Sequence, residues 1–340
     1  MKILVPFDGS RDGLFMLQVI ATMALVPGSE ITILQVVNSG GSLLSLVDSN
    51  SDAIKQQEII VERSKHLTDI VQEMSFWQPH CRINFKIGFG NVTEEILKVA
   101  NDIACDLIVI AAHDKNVIKR IFLSSVSSSV LNSSDRPVLI LKRTPEVAQG
   151  RMGNLGYRVL VPIDNSINSF DTIEWLSNQA WKAGTKIKLM HVISEFKDLL
   201  RQHEVPEDLA VLHEQWLKVK QRTEALLETH ALKLANVVGR ENVEIDVRPG
   251  EPKHEILDAE SEWGADIIAV GSHSKPGVKR IISNSVSGHI ARNCSGAALI
   301  VCHQNGTVQK KRPKKKEKSE FRNRPSESYN ERKPHAMGIM

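Results

Sequence analysis

The chain lacks the patterns that mark disulfide-rich, metal-dependent and membrane proteins. Its 340 residues include 4 cysteines, and these form neither a CxxC pair nor a metal-ligand spacing. The HExxH, Walker A, GxSxG and Rossmann GxGxxG motifs are all absent. There is also no apolar run of about 18 residues, and no cationic, apolar leader before the first predicted strand. We therefore predict a cytoplasmic protein with reduced thiols, no membrane span and no metal site.

The composition is that of an ordinary globular protein with an unusual C-terminal segment. Apolar residues make up 41% and charged residues 24%, and the length fits two domains of roughly 150 residues each. Residues 307–340 contain 11 Lys and Arg against 4 Glu, so this segment has a net charge of +7 and the rest of the chain −4. We predict that it is disordered. It is either an arm that binds nucleic acid or a solubilising extension, and we favour the second because isolated charge runs are usually solvated.

The strongest signal in the chain is an internal repeat. The segment Ile3–Ser10 (ILVPFDGS) returns as Val159–Ser166 (VLVPIDNS). Further along each half, His113–Val126 (HDKNVIKRIFLSSV) returns as His273–Val286 (HSKPGVKRIISNSV). Two copies of the same ordered motifs predict two domains of one fold.

Each half alternates short apolar runs with longer stretches of helical periodicity. The predicted strands are Ile3–Phe7, Ile31–Val37, Arg82–Ile87, Leu107–Ala111 and Val138–Leu141, then Val159–Ile163, Ile187–Ile193, Val243–Val247, Ile267–Val270 and Ala298–Cys302. The clearest helical stretches are Leu14–Leu25, Ala53–Met74 and Leu209–Val238. This alternation predicts an α/β fold with parallel strands and right-handed crossovers.

The repeated motifs follow the first and fourth predicted strands of each half. Parallel sheets bind ligands beyond the carboxyl ends of their strands, and a helix that begins there offers backbone N–H groups to phosphate. Asp8 and Asp164 close the first strands, so each is a candidate ligand contact. Each is equally explained as a residue that caps the following helix.

These motifs resemble the universal stress protein family in its tandem form. Members carry Asp-Gly-Ser after the first strand and Gly-x-x-Gly, nine residues, then Gly-Ser or Gly-Thr after the fourth. In this chain Gly271, Ser274 and Asn284 stand where the three glycines belong. The resemblance covers residues 1–143 and 157–303, with a linker at 144–156 and a basic tail at 304–340.

The resemblance implies an architecture. Each half is expected to be a Rossmann-like domain of the adenine nucleotide alpha hydrolase-like type, with a five-stranded parallel sheet flanked by helices and strand order 3-2-1-4-5. Family members commonly pair through strand five. Here Val138–Leu141 and Ala298–Cys302 are expected to pair inside one chain, which would give an intramolecular pseudo-dimer.

The resemblance also implies a site for ATP or another adenine nucleotide in the second half. Carried over onto this chain, its residues are Asp164, Val192, Gly271, His273, Ser274, Gly277, Asn284 and Ser285. The first half retains Asp8, Val36 and Ser125. Its three motif glycines are replaced by Ala111, Asp114 and Ser124, and Val117 stands at the position of Gly277. Because Asp114 would repel a polyphosphate, we predict that the first half is a degenerate copy.

These features predict a protein that acts in stress response by binding a ligand or protein partners. The first alternative is an interaction scaffold without a nucleotide. The second is a slow ATP hydrolase, which we consider less favoured because no catalytic constellation accompanies the motifs. His113 and His273 either contact phosphate or line their loops.

Overall fold

The computed structural model of the chain describes residues 1–38, 49–112, 123–142, 156–164, 166–193, 209–272 and 285–302. The first half contains, in order, β1 (Lys2–Pro6), α1 (Arg11–Thr22), β2 (Glu30–Val37), α2 (Ser49–Trp77), β3 (Arg82–Phe89), α3 (Val92–Asp102), β4 (Leu107–Ala112), α4 (Ser125–Ser133) and β5 (Val138–Lys142). The second half contains β6 (Arg158–Pro162), α5 (Ile167–Ser177), β7 (Lys186–Ile193), α6 (Leu209–Val238), β8 (Val243–Pro249), α7 (Pro252–Trp263), β9 (Ile267–Ser272), α8 (Val286–Asn293) and β10 (Ala297–Cys302).

The ten strands form one continuous sheet in the order β3-β2-β1-β4-β5-β10-β9-β6-β7-β8. Within each half all strand pairs are parallel, and each half has the order 3-2-1-4-5. The predicted α/β fold and the order implied by the family resemblance are therefore confirmed. All carboxyl ends within a half lie at one edge of its sheet, where the repeated motifs meet.

The halves join through β5 and β10, which pair antiparallel. In this register Leu299 lies opposite Leu139, and both side chains are buried. Two side-chain hydrogen bonds between residues far apart in sequence also join the two halves beside this strand pair. The ammonium group of Lys142 donates to the carbonyl of Cys294 at 2.7 Å, and the thiol of Cys302 donates to the carbonyl of Arg136 at 3.1 Å. The expected intramolecular pairing through strand five is thus observed.

Apolar side chains cover both faces of the sheet. Ile3 and Val159 lie on the face that packs against α1, α2, α5 and α6, while Leu4 and Leu160 lie on the face that packs against α3, α4, α7 and α8. Each of the two clusters contains residues of both halves. Burial of one such aliphatic side chain stabilises a fold by about 1.5–3 kcal/mol, so the shared clusters bind the halves together.

Within each half, an equivalent hydrogen bond forms at the amino ends of the strands, the edge opposite the carboxyl ends. The Asp106 carboxylate accepts a hydrogen bond from the backbone N–H of Lys2 at 2.6 Å. In the second half the Asp266 carboxylate accepts from the N–H of Arg158 at 2.8 Å. The repeat therefore extends to individual hydrogen bonds that hold the first strand against the fourth.

Helix α1 differs from its sequence prediction. It spans Arg11–Thr22 rather than Leu14–Leu25, because Ser10 caps it and accepts a hydrogen bond from the N–H of Gly13 at 3.0 Å. The helix therefore starts directly after the Asp8 motif and leaves no intervening loop.

The cysteines and the helices bear on two further predictions. All four cysteines lie in the described residues and none of them forms a disulfide, and burial raises the pKa of Cys105 and of Cys294 to about 11, so both thiols are protonated at neutral pH. No helix in the described part of the chain is long and apolar enough to cross a membrane.

The predicted linker, apart from Gly156, and the basic tail at 304–340 lie outside the described residues.

Candidate functional site

The carboxyl edge of the second half encloses a cleft of about 410 Å³. Its floor is formed by the ends of β6, β7 and β9, and its walls by the first turns of α5, α7 and α8. The lining residues are Pro162, Ile163, Asp164, Ser166, Ser169, Met190, His191, Val192, Pro252, Ile256, Val270, Gly271, Ser285, Val286 and Ser287. Four of the predicted site residues, Asp164, Val192, Gly271 and Ser285, thus lie in one cavity. We refer to it as the second cleft.

Asp164 lies at the centre of a hydrogen-bond network in this cleft. Its Oδ1 atom accepts from the N–H of Ser166 at 3.1 Å, from the hydroxyl of Ser166, and from the hydroxyl of Ser169 at 2.6 Å. The N–H of Asp164 in turn donates to the hydroxyl of Ser169 at 2.9 Å. These bonds hold the carboxylate in one orientation at the start of α5. Ser169 was not predicted from the sequence, since its role depends on the first turn of the helix folding back over Asp164.

Ser166 is the N-cap residue of α5, yet its side chain makes no capping hydrogen bond to the helix. Its hydroxyl is directed to Asp164 instead. The capping interpretation of Asp164 is therefore incomplete: this carboxylate holds the turn before the helix, and the N-cap position itself belongs to Ser166.

Gly271 has a packing role that its motif did not reveal. A Cβ atom at this position would lie 2.6 Å from the carbonyl oxygen and 2.9 Å from the Cβ of Asn168 on α5. The glycine therefore lets α5 approach the end of β9 closely. Asn168 itself is buried, so the contact leaves no space for a larger residue at position 271.

Ser285 supports the start of helix α8 beside the cleft. Its hydroxyl accepts a hydrogen bond from the N–H of Gly288 at 3.1 Å and lies 3.3 Å from the hydroxyl of Ser287. The first N–H groups of a helix have no partner within it, and they carry the positive end of the helix dipole. Because Ser285, Val286 and Ser287 all line the cleft, this helix start forms part of its wall, and a helix start of this kind suits an anionic group.

Val192 and His191 contribute the part of the floor formed by β7. Val192 packs partly against the apolar cluster on the α7 and α8 face of the sheet. His191 also lines the cleft, and the sequence analysis did not single it out. Its position one residue before Val192 at the end of a strand was the available signal.

The first half encloses a smaller cleft of about 300 Å³ at the equivalent edge. Asp8 and Val36 line this first cleft, as does Ala111. Phe7 and Met16 also line it, whereas the equivalent positions of the second half hold the smaller Ile163 and Thr172. At these two positions the first cleft thus has the larger side chains.

The predicted residue Ser125 is not among the lining residues of the first cleft. Helix α4 begins at Ser125, and Ser124 is its N-cap, accepting from the N–H of Ser127 at 3.0 Å. Ser124 and Ser127 line the cleft instead. The repeat aligns Ser125 with Ser285, so the helix of the first half begins one residue earlier than the alignment suggests.

Part of each predicted motif lies outside the described residues. In the second half these are His273, Ser274, Gly277 and Asn284, and in the first half His113, Asp114 and Val117. Among the residues that the structure does describe, no group of three or more His, Cys, Asp or Glu side chains is arranged to hold a metal ion.

The model of the Universal stress protein family matches residues 1–142 and, a second time, residues 157–301. The chain belongs to the universal stress protein family. Both matches lie on the five-stranded units of the sheet, so this is a tandem member of a stress-response family. Universal stress protein MJ0577 of Methanocaldococcus jannaschii is 27% identical to it over 159 residues, which are 42% of this chain and 94% of that protein.

Two solved structures resemble the whole ten-stranded arrangement. A universal stress protein from Archaeoglobus fulgidus superimposes with a TM-score of 0.62 at 20% identity, covering 89% of this chain and 98% of that one. The functionally unknown protein PA1789 from Pseudomonas aeruginosa superimposes with a TM-score of 0.58 at 13% identity, covering 89% and 92%. At these identities the likeness concerns the fold of the tandem universal stress protein, not its ligand.

Proposed function

We propose that this tandem universal stress protein binds an adenine nucleotide in the second cleft and acts in the cytoplasm, in stress response, through this ligand. The observation that carries the proposal is the convergence of Asp164, Val192, Gly271 and Ser285 on one cavity. These are the described positions that the family resemblance assigns to nucleotide binding. The volume of the cavity lies within the range of about 300–1,000 Å³ that is usual for small-molecule sites.

The polar groups of the second cleft suit such a ligand. A carboxylate held by Ser166 and Ser169 is pre-oriented to accept from a ribose hydroxyl or a base N–H. At the opposite wall the first turn of α8 presents its N–H groups to phosphate. An apolar floor that includes Ile163 and Val270 completes a surface for a flat base.

A scaffold function without nucleotide is the competing proposal, and one observation favours it. The Oδ1 atom of Asp164 already accepts three hydrogen bonds from its own turn. Such a carboxylate is satisfied within the fold, as a purely structural residue would be.

Hydrolysis of ATP has less support than either binding proposal. The described residues lining the second cleft include two titratable side chains, Asp164 and His191. The carboxylate is directed to two serine hydroxyls, and a general base must instead lie within hydrogen-bond reach of the attacking water. We therefore propose binding without catalysis.

Isothermal titration of the full-length protein with ATP tests the proposal. We expect one ATP per chain, loss of at least about tenfold in affinity in Asp164→Ala, and unchanged affinity in the matched variant Asp8→Ala. Equal losses in both variants would contradict the assignment to the second cleft. Absence of binding at millimolar ATP would contradict the proposal and favour the scaffold alternative.

A further inference from the structure

A small cavity lies between the two halves, on the face of the sheet that packs against α1 and α5. Its volume is about 50 Å³, and it shares no lining residue with either cleft. We call it the seam cavity. Its lining is mainly apolar and consists of Met1, Val19, Met23, Ala24, Leu107, Leu139, Leu141, Tyr157, Trp175, Gln179, Ala180, Trp181, Ile267 and Leu299.

Most of the lining residues form pairs that the repeat aligns. Leu139 and Leu299 are one such pair, and they lie opposite each other where β5 meets β10. An approximate twofold axis that relates the halves therefore passes between them. The other aligned pairs are Met1 with Tyr157, Val19 with Trp175, Met23 with Gln179, Ala24 with Ala180, and Leu107 with Ile267. The seam cavity is therefore built by the pairing of the halves, a usual place for a ligand site.

The polar groups that line the seam cavity differ in their hydrogen bonding. The indole N–H of Trp181 donates to the carbonyl of Leu176 at 3.0 Å. The side-chain amide of Gln179 donates to the carbonyl of Trp175 at 2.9 Å. The hydroxyl of Tyr157, in contrast, is buried and has no hydrogen-bond partner among the residues that the structure describes. Because buried polar groups normally have a partner, this hydroxyl is the group left for a ligand.

Tyr157 is held firmly and keeps its proton. Its side chain is buried, its backbone N–H donates to the hydroxyl of Thr185 at 3.1 Å, and the ammonium group of Lys182 lies 5.5 Å from the centre of its ring. Burial, and to a smaller extent the carboxylate of Asp266, raises the pKa of Tyr157 to about 12. The chain thus offers a fixed O–H group beside an apolar cavity at neutral pH.

We propose that the seam cavity binds a small organic molecule with a short apolar body and one oxygen atom, such as a short-chain alcohol or ketone. The apolar lining holds the body, and the hydroxyl of Tyr157 donates to the oxygen. A dry apolar cavity of about 150 Å³ accommodates benzene, so one of about a third of that volume suits roughly two to four non-hydrogen atoms. This proposal goes beyond nucleotide binding and does not depend on it.

Such a ligand binds the paired state of the halves. Because both halves build the seam cavity, an occupant that binds only this arrangement stabilises it by mass action. A molecule of so few atoms gains little binding free energy, so we expect half-saturation at about 1–50 mM.

The test uses the full-length protein with ¹³C-labelled methionine methyl groups, because one methionine reports on each cavity. Met23 lines the seam cavity, Met16 the first cleft and Met190 the second cleft. The probes are 2-propanol, acetone and xenon, which has no hydrogen-bonding atom. We expect all three probes to shift the Met23 resonance in a saturable way. Met16 and Met190 report the unspecific effect of added solvent.

Tyr157→Phe removes the hydroxyl and keeps the ring. We expect it to weaken 2-propanol and acetone about threefold to tenfold, as the loss of one hydrogen bond would, and to leave the affinity for xenon unchanged. Because the hydroxyl has no described partner in the fold, the variant should keep its thermal stability. Tyr329→Phe changes the other tyrosine of the chain, in the basic tail, and should leave all three affinities unchanged.

Ala180→Leu is expected to fill the seam cavity. The added side-chain atoms occupy the space of the ligand, so the shift of Met23 should disappear with all three probes. Its matched control is Ala225→Leu at an exposed position of α6, which should bind the probes as the wild type does. Circular dichroism establishes that each variant is folded.

Three results would overturn the proposal. One is a shift of Met23 that does not saturate and equals those of Met16 and Met190. Another is a saturable shift that persists in folded Ala180→Leu. The third is binding of xenon together with equal affinities for 2-propanol and acetone in wild type and Tyr157→Phe, which would show that the cavity is only a packing void.

Discussion

In the first half Asp8 lies against Gly13, whereas in the second half Asp164 lies against Ser169, the residue at the same place in the repeat. A Cβ at Gly13 would be 2.9 Å from the carboxylate of Asp8, and the hydroxyl of Ser169 instead donates to Asp164 at 2.6 Å. The comparison teaches that a repeated strand and turn preserve the position of a carboxylate without preserving its partners.

The serine two residues after each aspartate has a different use in each half. Ser10 accepts from the N–H of Gly13 and caps α1, while the N–H of Ser10 donates to Asp8 at 2.9 Å. The hydroxyl of Ser166 is directed to Asp164. The first half thus uses its turn to stabilise a helix, and the second uses it to orient a carboxylate beside a larger cleft.

The largest expected difference between the halves concerns Glu260, a buried carboxylate on α7. Its Oε1 atom accepts from the N–H and hydroxyl of Ser295, at 2.8 and 2.9 Å, and from the N–H of Gly296 at 3.0 Å. The first half has Ala100 at this position. We expect Glu260→Ala to lower the free energy of unfolding by roughly 3 kcal/mol, because buried donors lose their acceptor. Urea denaturation measures this change.

Glu262→Ala is the control on the same helix. Glu262 is exposed and pairs with Arg248 at 2.9 Å, so its removal should cost less than about 1 kcal/mol. Equal losses for Glu260 and Glu262 would show that the second half does not depend on the buried carboxylate.

A smaller effect is expected where α5 packs on β9. Gly271→Ala places a Cβ within 2.6 Å of the backbone of Asn168, so we expect a loss of about 1–3 kcal/mol from overpacking. The reverse change in the first half, Ala111→Gly, should cost about 0.5–1 kcal/mol through chain entropy alone. Thermal unfolding of both variants compares the two strand ends. A neutral Gly271→Ala would mean that α5 shifts without cost.

The two N-cap serines provide a finer comparison. Ser10→Ala should destabilise the protein by about 1 kcal/mol, because α1 loses its capping hydrogen bond. Ser166→Ala should cost less than about 0.5 kcal/mol, since this side chain does not cap α5 and its carboxylate partner is exposed. Hydrogen exchange at the first turns of α1 and α5 would show the difference locally. The prediction would be contradicted if Ser166→Ala accelerated exchange in the first turn of α5 more than Ser10→Ala accelerated it in the first turn of α1, each relative to the wild type.

The smallest expected effect is on the pH dependence of stability. The pKa of His289 is lowered by burial and by nearby cations, and that of His230 by burial and by Lys233. The unfolded chain therefore binds protons at these positions more readily, so stability should fall as the pH drops through the unfolded pKa of about 6.5. Unfolding titrations between pH 8 and pH 5 should show a flatter profile in a His289→Gln, His230→Gln double variant. A steeper profile would refute this sign.

Part of the candidate site followed from the parallel strands. Asp164 and Gly271 belong to repeated motifs that each end or follow a predicted strand, and carboxyl ends of parallel strands share one edge of the sheet, so their proximity could be predicted. The strand order and the place of Val192 in the site came from the family resemblance. Ser169 and Asn168 could not be predicted, because their contacts depend on how closely the first turn of α5 approaches the sheet.

The sequence alignment of the two halves also failed to predict the residue at which an equivalent helix begins. Ser125 and Ser285 align, but Ser124 is the N-cap of α4 while Ser285 is the N-cap of α8. An alignment counts residues, whereas the start of a helix depends on which side chain reaches its free N–H groups. Both halves have a serine near the boundary, so spacing alone did not choose between them.

By itself the sequence determined the repeat, the parallel strands and the charge of residues 307–340, because apolar periodicity and residue identity act locally along the chain. The tertiary structure decided which groups meet. The contact of Lys142 with Cys294 joins residues 152 positions apart, and the hydroxyl of Ser169 reaches Asp164 through a helical turn. Such contacts depend on the packing of elements already formed, where shifts of less than one ångström decide whether a hydrogen bond is made or lost.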